Sequence, residues 1–199
     1  SLIMYRSVIG IADLVINPIS FVQNFIPLLR GLRLLTTINV AGIKRSGASI
    51  YEITALVVAA AQQCHKFVLR TTQILSILIL LNPETNKGRL LQINTGEGKS
   101  IIVAILAAIH AIGGKKVDVV TTSTELSKRE VERQRAFFEM LQLTVDENSS
   151  GRDKKTIYSC DVVYGTASDF QGDILRTEFL GNDCRGNRKF EVVIVDEVE

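Results

Sequence analysis

Gly96, Gly98, Lys99 and Ser100, in the run Thr95-Gly-Glu97-Gly-Lys-Ser, have types and spacing that could do chemistry. Glycines on either side of Glu97 let the backbone take angles that a side chain forbids, and bring its N–H groups close to phosphate oxygens. A helix beginning at Lys99 adds unpaired N–H donors and a partial positive charge. Lys99 would then reach the β- and γ-phosphates of a nucleotide, and the Ser100 hydroxyl would ligate Mg²⁺. The strict pattern G-x-x-x-x-G-K-[ST] is not fully met, because its first glycine would fall at Ile93. What stands is the variant T-G-x-G-K-S. A second candidate pair, Asp196-Glu197, directly follows the apolar run Val192 to Val195. An acid at a strand end can hold Mg²⁺ through water, and the next acid can orient and deprotonate an attacking water. Gln73 is a third candidate, since an amide can donate to and accept from a base edge at once. Alone, it reads better as a solvent-facing or helix-capping glutamine.

These residues need elements to hold them. Leu90, Leu91 and Ile93 read as the end of a buried strand, and the stretch from Ser100 to Ile112 as an apolar helix closed by Gly113-Gly114. A strand over 116–122, a helix over about 125–141, a polar loop over 146–155 and a strand over 161–164 follow. Gly165-Thr166 leads into a helix carrying Phe170, Ile174 and Leu175, and a polar turn precedes the last strand, 192–195. Upstream, 50–69 has a helical composition, and a second apolar helix over 74–81 is stopped by Asn82-Pro83. Strands alternating with helices predict an α/β fold, a parallel sheet with helices on both faces. Ligands on such sheets sit at the carboxyl ends of the strands, where every motif above falls.

Composition narrows the function classes. The 199 residues carry a net charge of +2, unevenly placed: 1–66 hold six Lys/Arg against Asp13 and Glu52, whereas 89–199 hold fifteen against eighteen acids. A slightly acidic nucleotide half without tryptophan argues against a nucleic-acid track, which needs a basic stripe and stacking aromatics. Cys64, Cys160 and Cys184 are widely spaced with no C-x-x-C, so neither a disulfide framework nor a zinc site is indicated. Arg6 and Asp13 interrupt any secretory signal. The longest uncharged piece, Leu14 to Leu29, has 16 residues and two prolines, short of the ~20 that a spanning helix needs. Residues 1–47 are therefore expected to be an apolar helical extension of unknown role, either covering the next domain or lying in a membrane interface with Arg30, Arg33, Lys44 and Arg45 toward anionic lipid.

From about Ile50 to Glu199 the chain resembles the first nucleotide-binding lobe of the SecA preprotein translocase ATPases, a helicase-like DEAD motor family. Gln73 in an apolar helix, INTGEGKS at 93–100, VVTTSTELSKRE at 119–130, FFEMLQLTV at 137–145, YSCDVVYGTASDFQGDILR at 158–176 and VIVDEVE at 193–199 carry the resemblance. It implies a RecA-like P-loop lobe over 48–199 that binds ATP and Mg²⁺ in a cleft against a second lobe, with hydrolysis driving an unfolded polypeptide through a membrane channel. Gln73 would read adenine with Arg70 supporting the pocket; Thr95, Gly96, Glu97, Gly98, Lys99 and Ser100 would hold phosphates; Ser100 and Asp196 would hold Mg²⁺; Glu197 would activate water. Glu199 stands where the family has Asp, which puts coupling to the second lobe in question. The family places its polypeptide clamp, second lobe and arginine finger after the last residue here, so the chain is expected to be a fragment truncated after the acidic pair, cytoplasmic or peripheral at a membrane and not secreted. A finger of that kind is worth ~10³–10⁵ in rate, so turnover by the chain alone is expected to be nearly absent. Two other classes share the motifs: a nucleic-acid helicase lobe, and a non-motor interaction module with a relic ATP site.

Overall fold

The computed structural model describes residues 2–7, 49–81, 88–94, 96–149, 151 and 153–196, with 2–7 described as backbone. Most of the expected N-terminal extension, the Asn82-Pro83 stop, Thr95, Glu197 and Glu199 lie outside the described residues.

The first helix, α1 (Ile50–His65), starts on a capping box: Ser49 accepts from the Glu52 N–H, and Glu52 Oε2 accepts from the Ser49 N–H at 2.8 Å. It ends where Lys66 turns left-handed at φ 55°, shorter than the 50–69 that composition suggests. Then come α2 (Thr71–Leu81), β2 (Arg89–Gln92), α3 (Lys99–Ile112), β3 (Val117–Thr121), α4 (Thr124–Met140), β4 (Val145–Glu147), α5 (Lys154–Ser159), β5 (Val162–Thr166), α6 (Ala167–Phe179) and β6 (Val192–Asp196). β4 and α5 take the two ends of the expected polar loop, 146–147 and 154–155. A three-residue strand is too short to show a period, and among the described strands it pairs with β5 alone.

The strands form one sheet in the order β2-β1-β6-β3-β5-β4, where β1 is Leu2–Ser7. β6, β3, β5 and β4 are parallel, as expected, with Val119 opposite both Ile194 and Tyr164. β1 departs from expectation twice. It is a strand where a helical extension was expected, and it runs antiparallel to both neighbours, with Leu2 opposite Gln92 and Ile3 opposite Asp196. That register brings the carboxyl ends of β2 and β6 to the same edge of the sheet.

Period-two alternation splits the sheet residues between two cores. Val117, Val119, Val162, Tyr164, Val192 and Ile194 point into the larger one, against α1 to α4. Val163 points into a smaller one with Ile157, Tyr158 and Phe170 from α5 and α6. α3 lies between the sheet and the α1/α2 pair, which is why it is apolar all round: every residue from Ile101 to Ile112 is buried.

One of those residues is His110. Burial pulls its imidazole down from an ordinary 6.5 to about 3, with the Lys115 charge adding to the effect. The unfolded chain therefore takes up this proton first. The contribution to stability is whole above pH 6.5 and is lost as the pH falls toward 3, at up to about 1.4 kcal/mol per pH unit. Between pH 7 and 5 the protein should lose about 2 kcal/mol more than His110→Leu does, by urea unfolding at each pH. Parallel pH profiles would show that another group controls the acid limb.

Candidate functional site

The candidate phosphate loop lies between β2 and α3. Ile93 is buried, Glu97 N–H closes a turn on the Asn94 carbonyl at 3.2 Å, and Gly96 and Gly98 sit at φ 86° and 77°. Gly98 is the N-cap of α3 and brings no side chain to its first N–H groups. Lys99 then occupies the first helical position, where the helix dipole disfavours a cation by ~0.3–1 kcal/mol. Asp196 offsets this: its Oδ1 lies 3.1 Å from Lys99 Nζ, with both side chains largely buried. The two residues are brought together by the β2-β1-β6 order, across almost a hundred positions of sequence.

Gln73 does two jobs. Its Oε1 accepts from the Arg70 N–H at 2.8 Å, closing the start of α2 as a helix cap does, and its Nε2 donates to the Glu97 carbonyl at 2.9 Å. The capping reading of Gln73 therefore stands, but it accounts for only one end of the amide. Each end keeps one bonding direction, a second N–H on Nε2 and a second lone pair on Oε1, and that is the pair a base edge requires. Arg70 reaches the loop through Nη1, 2.7 Å from Glu97 Oε2, in an exposed ion pair with side chains 64% and 43% accessible. Such pairs are worth ~0–1 kcal/mol, so Arg70 orients the loop more than it holds it.

Together these residues border a cavity of about 420 Å³ that also takes in Ser100. Its remaining wall was not visible in the motifs: His65 and Phe67 from the end of α1, and Arg133 and Gln134 from α4. The His65 and Phe67 rings lie 5.9 Å apart, and burial holds the His65 imidazole below its ordinary range. Nothing short-range marks these positions as belonging to the site. The left-handed turn at Lys66 that swings Phe67 toward the loop is the nearest thing to a signal.

Gly98 cannot be replaced without cost. A Cβ built there would lie 2.4 Å from Gln73 Nε2, whereas a Cβ on Gly96 would meet nothing within 4 Å. Both positions have positive φ, so alanine costs roughly 1–2 kcal/mol of backbone strain at either. Only Gly98→Ala also expels Gln73 from its two hydrogen bonds. Gly98→Ala should therefore lower both the unfolding midpoint and nucleotide affinity more than Gly96→Ala; equal effects would show that the Gln73 contact is idle.

Of the sequence candidates, the structure gathers Arg70, Gln73, Gly96, Glu97, Gly98, Lys99, Ser100 and Asp196 at the carboxyl edge of the strands. Among the described residues no helix is long and apolar enough to cross a membrane. A family model described as SecA DEAD-like domain matches residues 36–199.

Proposed function

The chain belongs to the SecA DEAD-like domain family, whose domain is an ATPase-type nucleotide-binding unit, and from that premise we propose that it is the ATP-binding lobe of a motor that couples hydrolysis to the movement of unfolded polypeptide across a membrane. The observation that carries the nucleotide part is the Lys99–Asp196 pair at 3.1 Å, beside an N-terminus of α3 that no side chain caps.

The residues present fit Mg²⁺. A serine hydroxyl on the first turn of α3 and a carboxylate at the end of β6 are hard oxygen donors on one edge of the sheet, the sparse set Mg²⁺ takes when phosphates and water complete its shell. When bound, the ion would supply neutralisation of the charge that develops on the phosphates. The protein's own part is positional. The loop N–H groups and the start of α3 bind the phosphates, Lys99 exchanges Asp196 for the outer phosphates, and Gln73 ties the base pocket to the loop through the Glu97 carbonyl. Glu197, next in sequence after Asp196, is assigned the attacking water.

Two measurements test this reading. Calorimetric titration of Mg·ATP should give saturable binding that Gln73→Ala weakens about tenfold, one or two hydrogen bonds' worth, while narrowing any preference for ATP over GTP. Failure of the chain to bind either nucleotide sinks the nucleotide site. ATP turnover by the lobe together with a second motor lobe should then rise with unfolded polypeptide and not with single-stranded RNA. Stimulation by RNA alone would leave ATP binding intact and transfer the motor to the helicase class.

A further inference from the structure

At the edge of the sheet opposite the phosphate loop, where β3, β5 and β6 begin, lies a second cavity of about 360 Å³. Lys116, Lys155, Arg185, Arg188, Lys189 and Glu191 line it. Most of these charges are matched. Lys116 pairs with Asp161 at 3.2 Å and Lys155 with Asp183 at 3.6 Å, while the Glu191 carboxylate accepts the Lys116 main-chain N–H at 2.7 Å and attracts the Lys115 charge. Arg188 takes the Asp118 carboxylate at 2.8 Å and donates to the carbonyls of Val117, Tyr158 and Cys160.

Arg185 is the exception. It is only 5% exposed, and its one ionic partner among the described residues is the Asp118 carboxylate that Arg188 already occupies, reached by Nη2 at 3.2 Å. Its Nε and Nη1 have no acceptor among the described residues. The guanidinium is held between two rings, Tyr158 at 4.6 Å and Phe190 at 4.1 Å. Ring faces soften the charge but accept none of the in-plane N–H bonds. Two buried guanidiniums on one carboxylate leave a positive charge in excess, and an uncompensated buried cation calls for an anion. Lys189, exposed on the cavity wall, has no carboxylate partner among the described residues.

We propose that this cavity is a binding site for a phosphate group, with Arg185 as its central donor and Lys155 and Lys189 at its rim. A tetrahedral oxyanion fits better than a carboxylate, because it accepts from several directions and the donors here come from a guanidinium and two separate ammonium groups. The site is independent of the nucleotide cleft, which lies at the far ends of the same strands.

The test is titration of inorganic phosphate into the Lys99→Ala chain, so that the phosphate loop does not contribute, followed by ³¹P NMR line broadening. Beside it stands the same chain carrying Lys155→Glu and Lys189→Glu, exposed positions whose change should leave the unfolding midpoint in place. Affinity should fall about tenfold or more in the triple variant, as two charge-assisted contacts become repulsive. Co-sedimentation of both proteins with phosphatidylcholine vesicles, with and without phosphatidic acid, separates a lipid headgroup from a soluble phosphate as the natural source. Binding of either probe that the two glutamates abolish supports the site. Binding of neither probe, or equal binding by the two proteins, overturns it.

Discussion

Lys99→Ala is expected to abolish measurable Mg·ATP binding while leaving AMP binding and the fold in place. Lys99 Nζ lies 3.1 Å from Asp196 and is only 12% accessible, so the cation sits where water screens it little. Outer phosphates that take over this ammonium gain charge-assisted hydrogen bonds worth about 1.5–3 kcal/mol each, and loss of one or two corresponds to roughly a ten- to ten-thousandfold fall in affinity. AMP has no β- or γ-phosphate for Lys99 to reach, so a base pocket built on Gln73 and Phe67 should hold it as before. The fold should tolerate the change at a lowered melting temperature, because the largely buried Asp196 carboxylate loses its Lys99 contact. α3 is anchored by a wholly buried face, and removing a cation from its first turn relieves the helix dipole. Calorimetry with ATP and AMP on both proteins, beside their thermal melts, reads all three outcomes. Equal ATP affinity in the variant would show that the phosphates bind elsewhere, and a collapsed melt would make Lys99 structural.

The largest expected loss of stability lies at the other end of the sheet. Asp118, on β3, receives Arg188 through Nε at 2.9 Å and Arg185 through Nη2 at 3.2 Å, with the three side chains 10%, 1% and 5% accessible. Asp118→Ala strands two guanidiniums in a space with little water. Breaking a buried pair by removing one partner typically costs about 3–5 kcal/mol, a large share of the ~5–15 kcal/mol by which domains are stable. Asp118→Asn keeps one acceptor oxygen and should cost less, and Arg185→Met together with Asp118→Ala should recover part of the loss by removing one stranded charge. Urea unfolding of the three variants measures this. A loss below 1 kcal/mol for Asp118→Ala would mean that the arginines reach solvent when released.

The two regions differ in how visible they are in the sequence. The phosphate loop is a local object. Its glycines, its lysine and the apolar run after it act on the backbone within two turns of one another, so their meaning survives without neighbours. The same holds for the Ser49–Glu52 box that opens α1 and for the Asp196 that ends β6. The Asp153 cap that opens α5 is also a local signal, but a six-residue helix is too short for periodicity to support it. β1 could not be read at all, because its place between β2 and β6 depends on which sheet edges stand open once the other strands have paired.

What the sequence by itself determined is therefore the alternating α/β order, the glycine turn that opens an apolar helix and the acid at the strand end, each written in short-range constraints on dihedral angles and periodicity. Only the tertiary structure decided that β1 runs antiparallel inside the sheet, that Gln73 serves both a helix cap and the loop, that Phe67 and Arg133 wall the cleft, and that Asp118 meets two arginines from the loop before β6. Those outcomes depend on which distant groups come to share a space poor in water, and the strength of a charge or hydrogen bond there is set by the surrounding packing rather than by spacing along the chain.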